Sequence, residues 1–160
     1  MYYGPMSILT VLAVALHSLA AVIWVGGMFF AYVVLRPTLG ALDPLDRLKI
    51  WNRVFPKFFV WVWASVGALL VTGYGQVMWD FGGFDASGLH VQIMHGVGLL
   101  MSIIFAYLFF GPFRRYQVCV RAENWPEAGK VLGQIRRIVG ANLILGLLTI
   151  IIGSSGRFWG

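Results

Sequence analysis

Residues 8–35 read ILTVLAVALHSLAAVIWVGGMFFAYVVL, an apolar run from Ile8 to Leu35 with no formal charge and one imidazole, His17. A helix crosses a hydrocarbon slab roughly 30 Å thick with about 20 mainly apolar residues. This run is long enough. Three similar runs follow, at about Phe58–Trp79, His90–Gly111 and Ile138–Ile152. Pro112 reads as the close of the third. The fourth extends back toward a helix start near Pro126, which suits a first helical turn after Asn124. Backbone groups cannot stay unpaired in hydrocarbon, so the runs are helices. The alternating ten-residue strands of a membrane barrel are absent from the sequence. The expected fold is all-α, an integral membrane antiparallel four-helix bundle. Its spans are about 8–35, 58–79, 90–111 and 138–152, in a single domain over residues 1–160.

Composition agrees. The chain is 59% hydrophobic and 11% charged, against about 25% charged in an average soluble domain. Roughly a third of a small soluble domain's unfolded surface stays exposed on folding, too much for so apolar a chain to keep in water. The first run is too long for a signal-peptide core and lacks a positive leader, so it reads as a retained helix. The lone cysteine, Cys119, allows no internal disulfide.

The net charge is +6, but its placement is not that of a nucleic-acid-binding surface. Arg36, Arg47, Lys49, Arg53 and Lys57 fall between spans one and two. Arg114, Arg115, Arg121, Lys130, Arg136 and Arg137 fall between spans three and four. The connection between spans two and three carries only Asp80 and Asp85. Cations mark the cytoplasmic side, so both termini and the glycine-containing connection 81–89 face outward. The expected location is a bacterial inner membrane, with both termini periplasmic. Trp79 and Trp159 then stand at the outer interface. The Arg- and Trp-containing inner segments read as a surface anchor on lipid headgroups.

All three histidines lie in or beside the spans, and none lies in the basic connections. Ionisable side chains within a membrane are costly and are functional candidates by default. His17 and His95 enter from the same side and lie at similar depth at about 1.5 Å per residue, with His90 at the outer mouth. His17, Ala20, Ala21, Trp24 and Met28 share one helical face, as do His95, Gly98, Ser102 and Ala106. His90, Met94, Val97 and Met101 form a separate stripe turned away from His95.

Two imidazoles on facing helices are what a b-type haem requires as axial ligands. His17 and His95 are the candidate pair, with His90 as alternative second ligand or propionate partner. Trp24 and the pair Gly26-Gly27 would shape the pocket, and Arg157, the one basic residue on the outer side, would meet a propionate. The plain alternative is a histidine that only hydrogen-bonds a neighbouring helix, as Asn142 or Thr149 would. Glycines, too, are common in membrane helices. A competing set is Met78, His90 and Met94, because thioether and imidazole ligands suit Cu(I). Methionine is also ordinary apolar filling. The sequence contains no phosphate-binding Gly loop, CxxC or HExxH, and no catalytic residue can be named.

The run Leu16–Phe30, LHSLAAVIWVGGMFF, resembles the first helix of the copper resistance protein D (CopD) family. Gly88–Gly96, GLHVQIMHG, is similar to the entry of that family's third helix. Gln134–Leu143, QIRRIVGANL, is similar to a segment of small stand-alone members. The resemblance covers nearly the whole chain. It implies a four-helix inner-membrane domain linked to copper homeostasis. The family is in turn similar to the HemJ type of protoporphyrinogen oxidase, a haem-binding four-helix protein. That protein pairs a first-helix His with a Lys near the start of its third helix. His17 matches the first. Span three has no Lys and carries Gln92, Met94 and His95 there, a departure that weighs against the HemJ reaction and leaves His95 or His90 as second ligand.

The leading expectation is therefore membrane electron transfer through haem b, an oxidoreductase role linked to copper. The alternatives are a haem-free copper-binding or copper-transport protein and a HemJ-like oxidase. The expected partners are the bilayer, a quinone or a periplasmic copper or redox protein, and further copies of the chain.

Overall fold

A computed structural model describes residues 7–80, 82–84 and 86–158. Among these, four helices are long and apolar enough to cross a membrane: α1 (Ile8–Ala41), α2 (Pro44–Trp79), α3 (Leu89–Arg121) and α4 (Trp125–Ser155). The chain is a multi-pass, all-helical membrane protein. Side chains such as Ile8, Val71 and Trp79 point outward, the last 85% exposed. In water this apolar exterior would aggregate; in a bilayer it faces lipid.

The helices are longer than the expected spans, mainly at the basic end. The residues between spans one and two were expected as a connection, yet Arg47, Lys49, Arg53 and Lys57 all lie within the first turns of α2. The 36 residues of α2 reach about 54 Å at about 1.5 Å each, well beyond roughly 30 Å of hydrocarbon. Pro112 does not close α3. It lies inside a π-helical stretch, Phe109–Phe113, and the helix continues to Arg121. A wider turn tolerates the missing N–H and the ring of proline within one continuous helix. Pro126 behaves as expected: Asn124 caps α4 by accepting from the Glu127 N–H at 3.3 Å.

Helix α1 packs along α2 and α3 packs along α4, and contact between α1 and α4 joins the two pairs. The α3–α4 seam is close because α4 places glycine under methionine. A Cβ on Gly153 would stand 3.0 Å from the Met94 sulfur, and one on Gly146 would stand 3.1 Å from the Met101 methyl.

Helices α2 and α3 meet through rings. Trp51, Phe55 and Phe59, four residues apart on α2, stack with centroids 4.9 and 5.3 Å apart. Phe59 then packs edge-on against Phe105 and Phe113 of α3, at 5.5 and 4.9 Å. Below them the fully buried Tyr116 donates its hydroxyl to the Leu48 carbonyl at 2.6 Å. Phe59 is the hub of this cluster. Phe59→Ala is expected to cost about 3–5 kcal/mol, read as a lower unfolding midpoint in detergent. A change below about 1 kcal/mol would show that the ring cluster does little to hold α2 against α3.

Candidate functional site

The three histidines lie toward the end of the bundle opposite the basic residues, and each meets a different surface. His17 leans on α2. Its Nδ1 lies 2.8 Å from the Thr72 hydroxyl oxygen, and a Cβ on Gly73 would stand 3.4 Å from its Cε1. The Thr72 hydroxyl donates to the Ala68 carbonyl of its own helix at 2.6 Å. A hydroxyl has one proton to give. With that proton committed to Ala68, Thr72 can only accept from His17. The network therefore assigns the Nδ1–H form to His17 and leaves Nε2 with its lone pair. Metal-binding histidines are commonly held in this way, with one nitrogen anchored to a protein acceptor and the other free to ligate.

His95 also meets α2, through Tyr74. The Tyr74 hydroxyl lies 3.4 Å from His95 Nε2, long for a hydrogen bond. The imidazole stands edge-on to the Tyr74 ring at 5.0 Å and 4.8 Å from the Phe84 ring. Phe84 belongs to the α2–α3 connection. Its carbonyl is held by Ser87 at 2.7 Å and by Gln92 at 3.1 Å, and Gly82 and Gly83 supply the positive φ angles that the turn requires.

His17 and His95 thus touch α2 within two residues of each other, at nearly one depth. Thr72 and Tyr74 project about 200° apart around the helix, so the two rings address opposite sides of α2. On α3, a Cβ on Gly96 or Gly98 would meet no atom within 4 Å, so the surface beside His95 is unfilled by neighbouring helices.

His90 and Met94 lie one turn apart against α4. His90 packs directly over Gly156, and Met94 over Gly153. Met78 is exposed on the π-helical end of α2. Trp24 is buried two turns from His17, edge-on to Phe105 at 6.3 Å. The Phe58 ring packs directly over Gly27, while a Cβ on Gly26 would meet open space. The side chains of Asp80 and Arg157, and all of Asp85 and Trp159, lie outside the described residues. Among the described residues no three His, Cys, Asp or Glu side chains gather as a metal cluster.

Asn142 reaches across to the Met101 carbonyl at 3.4 Å, whereas Thr149 bonds the Leu145 carbonyl of its own helix. The residues not anticipated are Thr72, Tyr74 and Phe84. Thr72 and Tyr74 are polar side chains within span two, and that was the available signal.

A family model described as copper resistance protein D matches residues 52–155. The chain belongs to the copper resistance protein D family. No curated protein and no solved structure matches it. The matched part of this CopD chain contains Thr72, Tyr74, His90, Met94 and His95. It begins after α1, so His17 lies outside it.

The His17 assignment is directly measurable. With histidine labelled by nitrogen-15, the CopD chain in detergent is expected to show His17 in one neutral form, Nδ1 protonated. Thr72→Val should release it into a mixture with the commoner Nε2–H form. A wild-type spectrum with Nε2 protonated would overturn the assignment.

Proposed function

We propose that this copper-resistance-related membrane protein binds a b-type haem and passes electrons within the bilayer, with His17 as the first axial ligand. The observation that carries this reading is the anchored imidazole: His17 Nδ1 lies 2.8 Å from the Thr72 hydroxyl oxygen, whose proton goes to the Ala68 carbonyl, an arrangement that assigns the hydrogen to Nδ1 and the ligating role to Nε2. The donor chemistry fits iron, and the open surface around Gly96 and Gly98 offers room beside α3. Bound there, haem would supply one-electron chemistry. The chain's own part is to fix the His17 ring, keep its ligating nitrogen free of a proton and hold the site in low dielectric. His95 is the second ligand in this reading. Its ring meets the opposite side of α2 from His17, so an iron shared by the two requires α3 to shift around α2 as well as release of the long contact with Tyr74, and His90 remains the alternative. Arg157 is the propionate partner proposed from the sequence, and a quinone or a periplasmic copper or redox protein is the proposed exchange partner.

Haem supplied during expression should give a Soret band in the purified protein. His17→Ala should abolish it, and Thr72→Val should weaken haem retention by about 10–100-fold, the usual range for losing such a supporting bond. Absence of the band in the wild type would overturn the reading.

A second reading is Cu(I) binding without haem. It is favoured by His90 and Met94 sharing one face on consecutive turns. Metal analysis separates the two: copper without a Soret band, lost in His90→Ala and Met94→Ala, would replace haem with copper.

We also place the basic end in the cytoplasm of a bacterial inner membrane, from the charge bias. Alkaline phosphatase fused after Gly160 should be active, and fused within the turn at Glu123 inactive. The reverse pattern would invert the topology.

A further inference from the structure

The basic end holds a cavity of about 940 Å³, between the end of α1, the start of α2 and the start of α4. Its volume is near the upper end of small-molecule sites, roughly 300–1,000 Å³. No histidine lines it, so it is separate from the site described above. Its walls are aromatic and aliphatic, with Trp51 and Phe58 among them, and three arginines line it from three helices: Arg36, Arg47 and Arg136. Asp43 is the one acidic side chain of the lining. Among the described residues none of the three arginines is ion-paired; the ion pairs recorded there join Glu127 to Arg115 and Lys130. Arg36 lies over the Tyr32 ring at 5.1 Å.

An apolar chamber with three guanidinium groups against a single carboxylate matches a molecule with an oily body and an anionic head. The basic residues cluster at this end, where headgroups of one leaflet would lie. Guanidinium groups grip phosphate oxygens through paired, charge-assisted hydrogen bonds. We infer that the cavity is a binding site for an anionic phospholipid, with Arg36, Arg47 and Arg136 on its phosphate and its acyl chain against Trp51 and Phe58. This differs from diffuse attraction of a basic surface to a membrane, because it requires both the cavity and its own arginines.

The glycine wall gives a clean test. Gly133 lines the cavity, and a Cβ there would meet nothing within 4 Å. Gly133→Phe therefore fills the chamber while leaving every charge in place. The full-length protein, delipidated in detergent, is titrated with dioleoyl phosphatidylglycerol or dioleoyl phosphatidylcholine and read by native mass spectrometry. Phosphatidylglycerol should be retained about tenfold more strongly than phosphatidylcholine, as expected for charge-assisted contacts. That preference should vanish in Arg36→Gln/Arg136→Gln and in Gly133→Phe. It should persist in Arg114→Gln/Arg121→Gln, which removes equal charge outside the cavity. Equal retention of the two lipids by the wild type overturns the inference and needs no variant to fold. So does equal loss in the control pair, which would mark diffuse attraction, or full retention in folded Gly133→Phe.

Discussion

Hydrocarbon offers a peptide group no partner outside its own helix, and most of this architecture follows from that constraint. It makes every span a helix and keeps the chain helical even where proline interrupts the ladder, at Pro56 and Pro112. It also governs the few polar side chains inside. The hydroxyls of Thr72, Ser102 and Thr149 each return a hydrogen bond to a carbonyl one turn earlier. At Thr72 this housekeeping bond has a chemical result. It uses up the hydroxyl proton and obliges the oxygen to accept from His17, so a rule of membrane solvation determines which imidazole nitrogen carries hydrogen.

Packing follows from the same solvent. Lipid is as apolar as the side chains, so helices associate through close fit rather than burial. The α3–α4 seam achieves this with methionines set over glycines. The α2–α3 contact achieves it with interlocked rings, Phe59 against Phe105 and Phe113. The first kind sets side chain directly on backbone; the second joins the helices through side chains alone.

Much of this could be read from residue order. Four apolar runs, eleven cations between them and three histidines in or beside them are one-dimensional facts, and a hydrocarbon solvent turns them into spans with a basic end and a histidine end. The stripe of His90, Met94, Val97 and Met101, turned away from His95, followed from helical spacing, and His90, Met94 and Met101 pack over Gly156, Gly153 and Gly146 toward the end of the chain's last helix. What escaped the sequence depends on azimuth. Depth along a helix can be counted, but the angle at which one helix presents itself to another cannot. The sides of α2 met by His17 and His95 were therefore hidden, although their similar depth was not. Pro112 misled because a proline's effect depends on whether the turn around it can widen. The arginines around the large cavity were read only as markers of sidedness, since nothing in their order says that they face one shared cavity.

Helix α2 runs unbroken past both regions. It carries Trp51 at the arginine-lined chamber and Thr72 beneath the His17 ring, about 32 Å apart along its axis. A helical rod transmits rotation: twist applied at one end arrives at the other, less whatever the Pro56 joint absorbs. The threonine that holds the imidazole and the tryptophan that walls the chamber are thus mounted on one shaft, a single secondary-structure element.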